Sequence, residues 1–414
     1  MRQKMWIIMQ ITKLTVLLLF GLSFVISLAV TPVARWMAPR IGAMDVPKDA
    51  RRMHTHPIPR FGGMAMFLGT MIPILIFLHN HPRMMAAAVG GCMIYALGVV
   101  DDLKNLSAKV KFGIELLIAT LMYAMGLRIE LISNYFGGGG DLHFGTAVCF
   151  IVTVLWIVGI TNTINLVDGL DGLAAGVAMI AALTIAYVAY IHGDTYGMVP
   201  VCCAMISLAG SCAGFLPYNF YPASIFMGDS GSLFLGFMTA TMSVVGPLKR
   251  STVIAVVIPV IVLGIPIFDT FFAILRRWVN HRPIMEADKG HLHHHLMASG
   301  FGQRRAVLML YGISGIMGMA AVLVSRELIK DALVLMIIAG IYLYVFLTDP
   351  NQKLPHIKAV DTNREERQRE RMAKWDPKEQ DKYECPMEEH EHNIHDGHQN
   401  DERDRNLNES KRDS

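Results

Sequence analysis

Long apolar runs alternate with short polar loops over most of the chain. Runs long enough for a hydrocarbon core of about 30 Å fall near residues 14–32, 61–78, 84–100, 112–127, 146–161, 173–191, 198–216, 231–247, 252–274, 306–324 and 332–348. They predict about eleven transmembrane helices, several shorter than the ideal of about 20 residues. The first run follows "MRQK", but it is long and further runs follow, so an anchor helix is expected rather than a signal peptide. One polar stretch, "LRIELISNYFGGGGDLHFGTAV", alternates apolar and polar residues around four glycines and predicts a small hairpin outside the membrane. From Asp349 onward the pattern stops. The tail, 349–414, mixes charges of both signs with few large apolar residues and is expected to be disordered. Its "HEHNIHDGH" is expected to be solvated, with weak metal binding as the alternative. Residues 1–348 form the membrane domain.

Composition agrees: the chain is 53% hydrophobic and only 17% charged, a balance tilted towards lipid. The expected class is an all-α polytopic membrane protein. The net charge of +3 pools a membrane body with a charged tail and decides little; no nucleic-acid partner is expected. Five of the six cysteines (Cys92, Cys149, Cys202, Cys203, Cys212) lie in apolar runs and Cys385 stands alone in the tail. They make neither a disulfide framework nor a metal spacing. Basic residues set the orientation. The loops after the first, third and ninth runs carry most of them, including Arg51, Arg52, Arg60, Lys104, Lys111, Arg282 and Lys289. Those loops are therefore cytoplasmic, the N-terminus lies outside and the tail inside, although Arg2 and Lys4 oppose this.

Acidic residues near membrane depth are costly and by default mark function. Here they gather at the cytoplasmic ends of the runs. "GVVDDLKNLSAKVKF" ends the third with Asp101 and Asp102. "NTINLVDGLDGLAAG" opens the sixth with Asn165, Asp168 and Asp171. "FMGDSGSLFLG" opens the eighth with Asp229, and "IPIFDTFFAILRR" places Asp269 late in the ninth. Each has an ordinary alternative: Asp168 and Asp229 as helix N-caps, Asp269 as the partner of a nearby arginine. Asp101 and Asp102 point about 100° apart on a helix and cannot do the same job. If 168–176 is helical, Asp168 and Asp171 share a face, and Gly169, Gly172 and Gly176 let a ligand or another helix approach closely. Clustered carboxylates in a low dielectric need a cation, and oxygen ligands favour Mg²⁺ or Mn²⁺.

Cationic groups are expected on the same face. "KDARRMHTHPIPRFGG" supplies Arg51, Arg52, His54, His56 and Arg60 before Gly62–Gly63, whose backbone N–H groups are candidates to cradle an anion. "KGHLHHHLMASG" supplies His291, His293, His294 and His295. The latter lacks the spacing of a closed zinc site and suits a phosphate clamp. Carboxylates able to hold a metal, facing His, Arg and Lys at a membrane surface, suit phosphate or pyrophosphate chemistry. That location suggests one lipid phosphate and one cytosolic reactant.

The segments "VVDDLKNLSAKVK", "NTINLVDGLDGLAAG", "FMGDSGSLFLGF" and "GHLHHHL" together resemble the cytoplasmic motifs of the polyprenyl-phosphate N-acetylhexosamine-1-phosphate transferases, over about residues 14–348. The resemblance implies ten or eleven transmembrane helices around a cytoplasmic cleft in a bacterial plasma (inner) membrane. It implies transfer of a sugar-1-phosphate from a UDP-sugar to a polyprenyl phosphate with release of UMP and use of Mg²⁺ or Mn²⁺. It assigns Asp229 and Asn165 to the metal, and Asp101 and Asp102 to positioning or deprotonating the lipid phosphate. Lys111, Asp168 and His293–His295 fall with the catalytic groups near the phosphates. Asp171 and Phe226 fall on the uracil, with Arg60, Asn105 and His291 as further substrate contacts. His291 and Leu296–Met297 replace the Pro and Phe-Glu typical of the muramoyl-pentapeptide enzymes. This favours UDP-GlcNAc with undecaprenyl phosphate, at the first membrane step of a teichoic acid or O-antigen type glycopolymer, over phospho-MurNAc-pentapeptide transfer. A homodimer and downstream cell-wall glycosyltransferases are the implied protein partners. Direct attack of the lipid phosphate is expected, with an aspartyl-phosphate route as its rival. A cation-coupled transporter is the remote alternative; its acids would sit near the midplane.

Overall fold

The structure is a computed structural model describing residues 13–46, 57–129, 131–133, 141–143, 145–192, 198–245, 252–279 and 302–348. Among these, twelve helices follow one another: α1 (Lys13–Ile41), α2 (Gly63–Phe77), α3 (Pro82–Lys104), α4 (Ala108–Ala124), α5 (Thr146–Val167), α6 (Leu173–Ile191), α7 (Val199–Asn219), α8 (Gly228–Val245), α9 (Thr252–Val262), α10 (Gly264–Val279), α11 (Gln303–Ser325) and α12 (Ile329–Thr348). Each of the predicted apolar runs but the ninth falls on one helix. By length and composition, α1, α3, α5, α6, α7 and α11 are able to cross a membrane, so the protein is an all-α polytopic membrane protein. The predicted hairpin is present. β3 (Leu131–Ser133) pairs antiparallel with β4 (Asp141–His143), Ile132 opposite Leu142. A shorter ladder joins β1 (Met44–Asp45) to β2 (Ile58–Pro59).

One correction concerns the ninth run, which is two helices broken at Leu263. Pro266 has no N–H for the carbonyl of Val262, and its ring crowds that carbonyl.

The helix α8 is the hub. Every residue from Ser230 to Val245 is buried, and the helix packs on α2, α3, α5, α6, α7 and α9. Helices buried on all sides are apolar all round, and α8 fits, its hydroxyls folded back on its own carbonyls: Thr239 and Thr241 donate to Leu235 O and Phe237 O at 2.8 Å. Small residues bring the neighbours close. A Cβ on Gly98 of α3 would lie 2.4 Å from Ser230 Cα. The periphery shows the opposite. Helix α1 exposes Leu14, Leu17, Leu18 and Val25 and turns Ser23, Ser27 and Thr31 inward. There, Gly210 and Gly214 of α7 lie against the carbonyls of Phe20 and Phe24, the small-residue seam that lets lipid-embedded helices associate.

Candidate active site

The chain reversals at one end of the bundle bring together the last turns of α3 and α5 with the first turns of α4 and α8. Asp101 and Asp102 close α3, Lys111 opens α4, Asn165 closes α5 and Asp229 opens α8. The gathering of acids at one face, expected from sequence, is therefore real for these motifs. Asp269 lies partly buried on α10 and is not among the groups that hold Lys111 or cap α8.

Lys111 is the centre of the cluster. Its Nζ donates to Asp101 Oδ2 at 2.9 Å and to Asn165 Oδ1 at 3.5 Å, and lies 3.3 Å from Asp229 Oδ1. Asn165 Nδ2 in turn donates to Asp229 Oδ1 at 2.5 Å and to Ser232 Oγ at 2.8 Å. The side chain of Asp229 is 33% exposed, against 15% for Lys111 and 7% for Asp101. Asp229 is thus the most exposed of the three.

The adjacent aspartates divide the work, as the 100° helical offset requires. Asp101 Oδ1 accepts from Leu106 N at 2.8 Å while Oδ2 takes Lys111. Asp102 turns inward: Oδ1 accepts from Asp229 N at 2.8 Å and Oδ2 from Ser230 N at 3.0 Å. A helix leaves its first N–H groups without intrahelical partners and carries positive potential there, so Asp102 serves as the cap of α8 from another helix. Gly228 makes room for this with φ +69°, since a Cβ there would lie 2.5 Å from Asp102 Oδ2. Both oxygens of Asp102 are thus taken by backbone N–H groups of α8, whereas Asp101 shares Lys111 with Asp229.

Two further expectations change. Residues 168–172 form a turn, with α6 starting at Leu173. Asp168 and Asp171 thus do not share a helix face, and Asn165 and Asp168 close α5 rather than open α6. The reversal needs a left-handed residue, supplied by Gly172 at φ +79°. Asp171 Oδ2 accepts from Ala223 N at 2.8 Å, tying this turn to the one before α8. Gly176 admits another helix rather than a ligand: a Cβ there would overlap the ring of Tyr311. Nor do Gly62 and Gly63 cradle an anion, because their N–H groups donate to Phe226 O at 2.9 Å and Met227 O at 2.8 Å. Asp168 is partly buried beside the acids. Burial, reinforced by the charges of Asp229, Asp102 and Asp171, pushes its pKa up to about 8.

Arg60 and Asn105, expected separately on the substrate, meet each other. Arg60 Nη2 donates to Asn105 Oδ1 at 2.9 Å and also to the carbonyl of Asp102. Phe226 is half-buried, with its N–H on Pro59 O at 2.7 Å. His291, His293, His294 and His295, like Arg51, Arg52, His54 and His56, lie outside the described residues. Sequence reasoning missed Glu115 and Asn162, which pair one turn deeper; an acid in the middle of the run "FGIELLIATLMYA" was the available signal.

Among the described residues no three carboxylates, imidazoles or thiolates stand close enough to hold a metal by themselves. Mg²⁺ asks for less, being held typically by one or two carboxylates with water and substrate phosphates. The partly exposed carboxylate of Asp229, next to Asn165, is the group in this cluster that could offer such a share.

A family model described as glycosyl transferase family 4 matches residues 84–247, the stretch that carries Asp101 to Asp229. A Bacillus subtilis protein named probable undecaprenyl-phosphate N-acetylglucosaminyl 1-phosphate transferase is 41% identical over 328 residues, 79% of this chain and 89% of the relative. A decaprenyl-phosphate N-acetylglucosaminephosphotransferase of Mycolicibacterium smegmatis is 36% identical over 72% of this chain and 79% of its own length. An undecaprenyl-phosphate alpha-N-acetylglucosaminyl 1-phosphate transferase of Thermotoga maritima is 30% identical over 70% of this chain and 84% of its own.

Proposed function

The chain belongs to glycosyl transferase family 4, with the polyprenyl-phosphate N-acetylglucosaminyl-1-phosphate transferases, and on that premise we propose that it transfers GlcNAc-1-phosphate from UDP-GlcNAc to undecaprenyl phosphate, releasing UMP. The observation that carries this reading is Lys111 Nζ held between Asp101 and Asp229 at the meeting of four helix ends. A cation fixed among oxygen groups, with one carboxylate open to the outside, suits two phosphates that must approach each other.

In the reaction, an oxygen of the lipid phosphate forms a bond to the β-phosphorus of UDP-GlcNAc. The bond from that phosphorus to the bridging oxygen breaks, and its electron pair leaves with UMP. A phosphate monoester has its second pKa near 6, so the nucleophile is largely a dianion at neutral pH and a strong base is dispensable. Asp101 orients Lys111 and takes any residual proton. Lys111 offsets the repulsion between the two anions and the charge that develops on the leaving phosphate. Asp229 and Asn165 would hold Mg²⁺ or Mn²⁺, which when bound neutralises pyrophosphate oxygens. Asp102 keeps the α8 N-terminus in place.

The eleven apolar runs fit eleven crossings, with α9 and α10 sharing one, the N-terminus outside and this cluster on the cytoplasmic face of the plasma membrane. UMP release by the purified protein with Mg²⁺ and undecaprenyl phosphate, from UDP-GlcNAc against UDP-MurNAc-pentapeptide, tests the assignment. Release from UDP-GlcNAc is expected; release only from the muramoyl substrate would move the chain to the peptidoglycan step.

A further inference from the structure

Directly beneath the Lys111 cluster a second polar contact joins α4 to α5. Glu115 lies one turn after Lys111 on α4 and is 2% exposed. Its Oε2 accepts from Nδ2 of Asn162, which lies one turn before Asn165 on α5 and also donates to Val158 O at 3.0 Å. Residues at i, i+4 on α4 and at i, i+3 on α5 stack on single faces, so the two helices meet in two rungs. Lys111 with Asn165 is the outer rung and Glu115 with Asn162 the inner.

A buried carboxylate at this depth is expensive, and an apolar side chain would pack the seam at lower cost. What Glu115 does not do is informative. The Nζ of Lys111 is taken up by Asp101, Asp229 and Asn165, so Glu115 is not its ion-pair partner. Its second oxygen, Oε1, is buried and has no hydrogen-bond partner among the described residues. Among the described residues its hydrogen bonding is one acceptor offered to one amide. That amide sits a turn away from Asn165, which is itself aimed at Asp229 with 2.5 Å between them.

We propose that Glu115 is a positioning residue for the reaction: by accepting from Asn162 it fixes the rotation of α5 against α4, and so aims Asn165 and Lys111 at Asp229. The function resides in the acceptor and not in the charge. The inner rung keeps the outer one aligned without touching substrate. This inference rests on the transferase reading, and misplacing reacting groups by about 1 Å can cost roughly 10²-fold in rate.

The test uses the full-length purified protein, with kcat and KM for UDP-GlcNAc from UMP release, the melting temperature, and amide hydrogen exchange over residues 108–118. Glu115→Ala should lower kcat roughly 10- to 100-fold with KM and melting temperature nearly unchanged, and should speed exchange in that segment. Glu115→Gln, which keeps the acceptor, should restore kcat to within a few-fold and exchange to the native rate. Asn162→Ala should match Glu115→Ala, and the double variant should be no worse than either, because the two act as a unit. Full activity in Glu115→Ala, a Gln variant as poor as the Ala variant, or losses that multiply in the double variant would each overturn the proposal. Failure of the transferase reading itself has a different signature, a native protein that releases no UMP. The exchange data then decide alone: unchanged exchange in Glu115→Ala overturns the positioning role.

Discussion

Asp102 holds the backbone of Asp229: its Oδ1 accepts the Asp229 N–H at 2.8 Å while Oδ2 takes the next one, from Ser230. The more exposed carboxylate of the cluster is thus aimed by its more buried neighbour. Removing one partner from buried donors costs about 1–3 kcal/mol for each group left unsatisfied. Asp102→Ala is therefore expected to lower the melting temperature and the activity together. Asp101→Asn should lower UMP release while leaving the melting temperature close to native. Thermal denaturation of the two purified variants beside activity checks the division; equal effects on stability would remove it.

Lys111 has no substitute among the described side chains of the cluster. Lys111→Met is expected to cut kcat by about 100-fold or more, the scale of losing a preorganised charge stabiliser. Lys111→Arg is expected to recover little, because a planar guanidinium cannot reproduce a compact ammonium reached by two carboxylates and an amide. Steady-state kinetics of both variants provide the check.

Asp168 gives the metal-free protein a pH signature. Its native pKa of about 8 lies above the ordinary unfolded value of about 3.9. Between the two the native state binds more protons than the unfolded state, so stability falls as pH rises through that window. In chelator, the melting temperature should decline from pH 5 to pH 9, and Asp168→Asn should make the decline shallower. Identical slopes would contradict the assignment.

Backbone proximity at α3 and α8 is a further handle. A Cβ on Gly98 meets the backbone of Ser230 at 2.4 Å, whereas one on Gly113 of α4 meets nothing within 4 Å. Overpacking of this kind costs about 1–3 kcal/mol, and at Gly98 it pushes on the turn that bears Asp229. Gly98→Ala should lose activity and stability; Gly113→Ala should lose neither.

Much of this was legible in the sequence. The apolar runs, the hairpin around "GGGG" and the placement of Asp101, Asn165 and Asp229 at one end all follow from hydropathy and from the cost of charge near lipid. Three features were hidden because they depend on which groups meet across helices. The helical offset separates Asp101 from Asp102, but which of them caps α8 is hidden until its first N–H groups are seen to face Asp102. The Gly62–Gly63 amides read as an anion cradle until the carbonyls of Phe226 and Met227 occupy them. Glu115 reads as a stray acid until Asn162 is placed opposite. The condition that 168–176 is helical fails because Gly172 supplies a left-handed turn that periodicity cannot register.

The central claim is that this cluster moves GlcNAc together with its phosphate onto a polyprenyl phosphate. The most direct measurement gives the purified protein UDP-GlcNAc labelled with ³²P at the β-phosphate, with Mg²⁺ and undecaprenyl phosphate, and follows the label. Label and sugar should move together into the lipid phase with one UMP per lipid product, and Lys111→Met should slow the transfer by about 100-fold or more. Label remaining with the nucleotide, or sugar reaching the lipid without it, would rule out transfer of the sugar together with its phosphate.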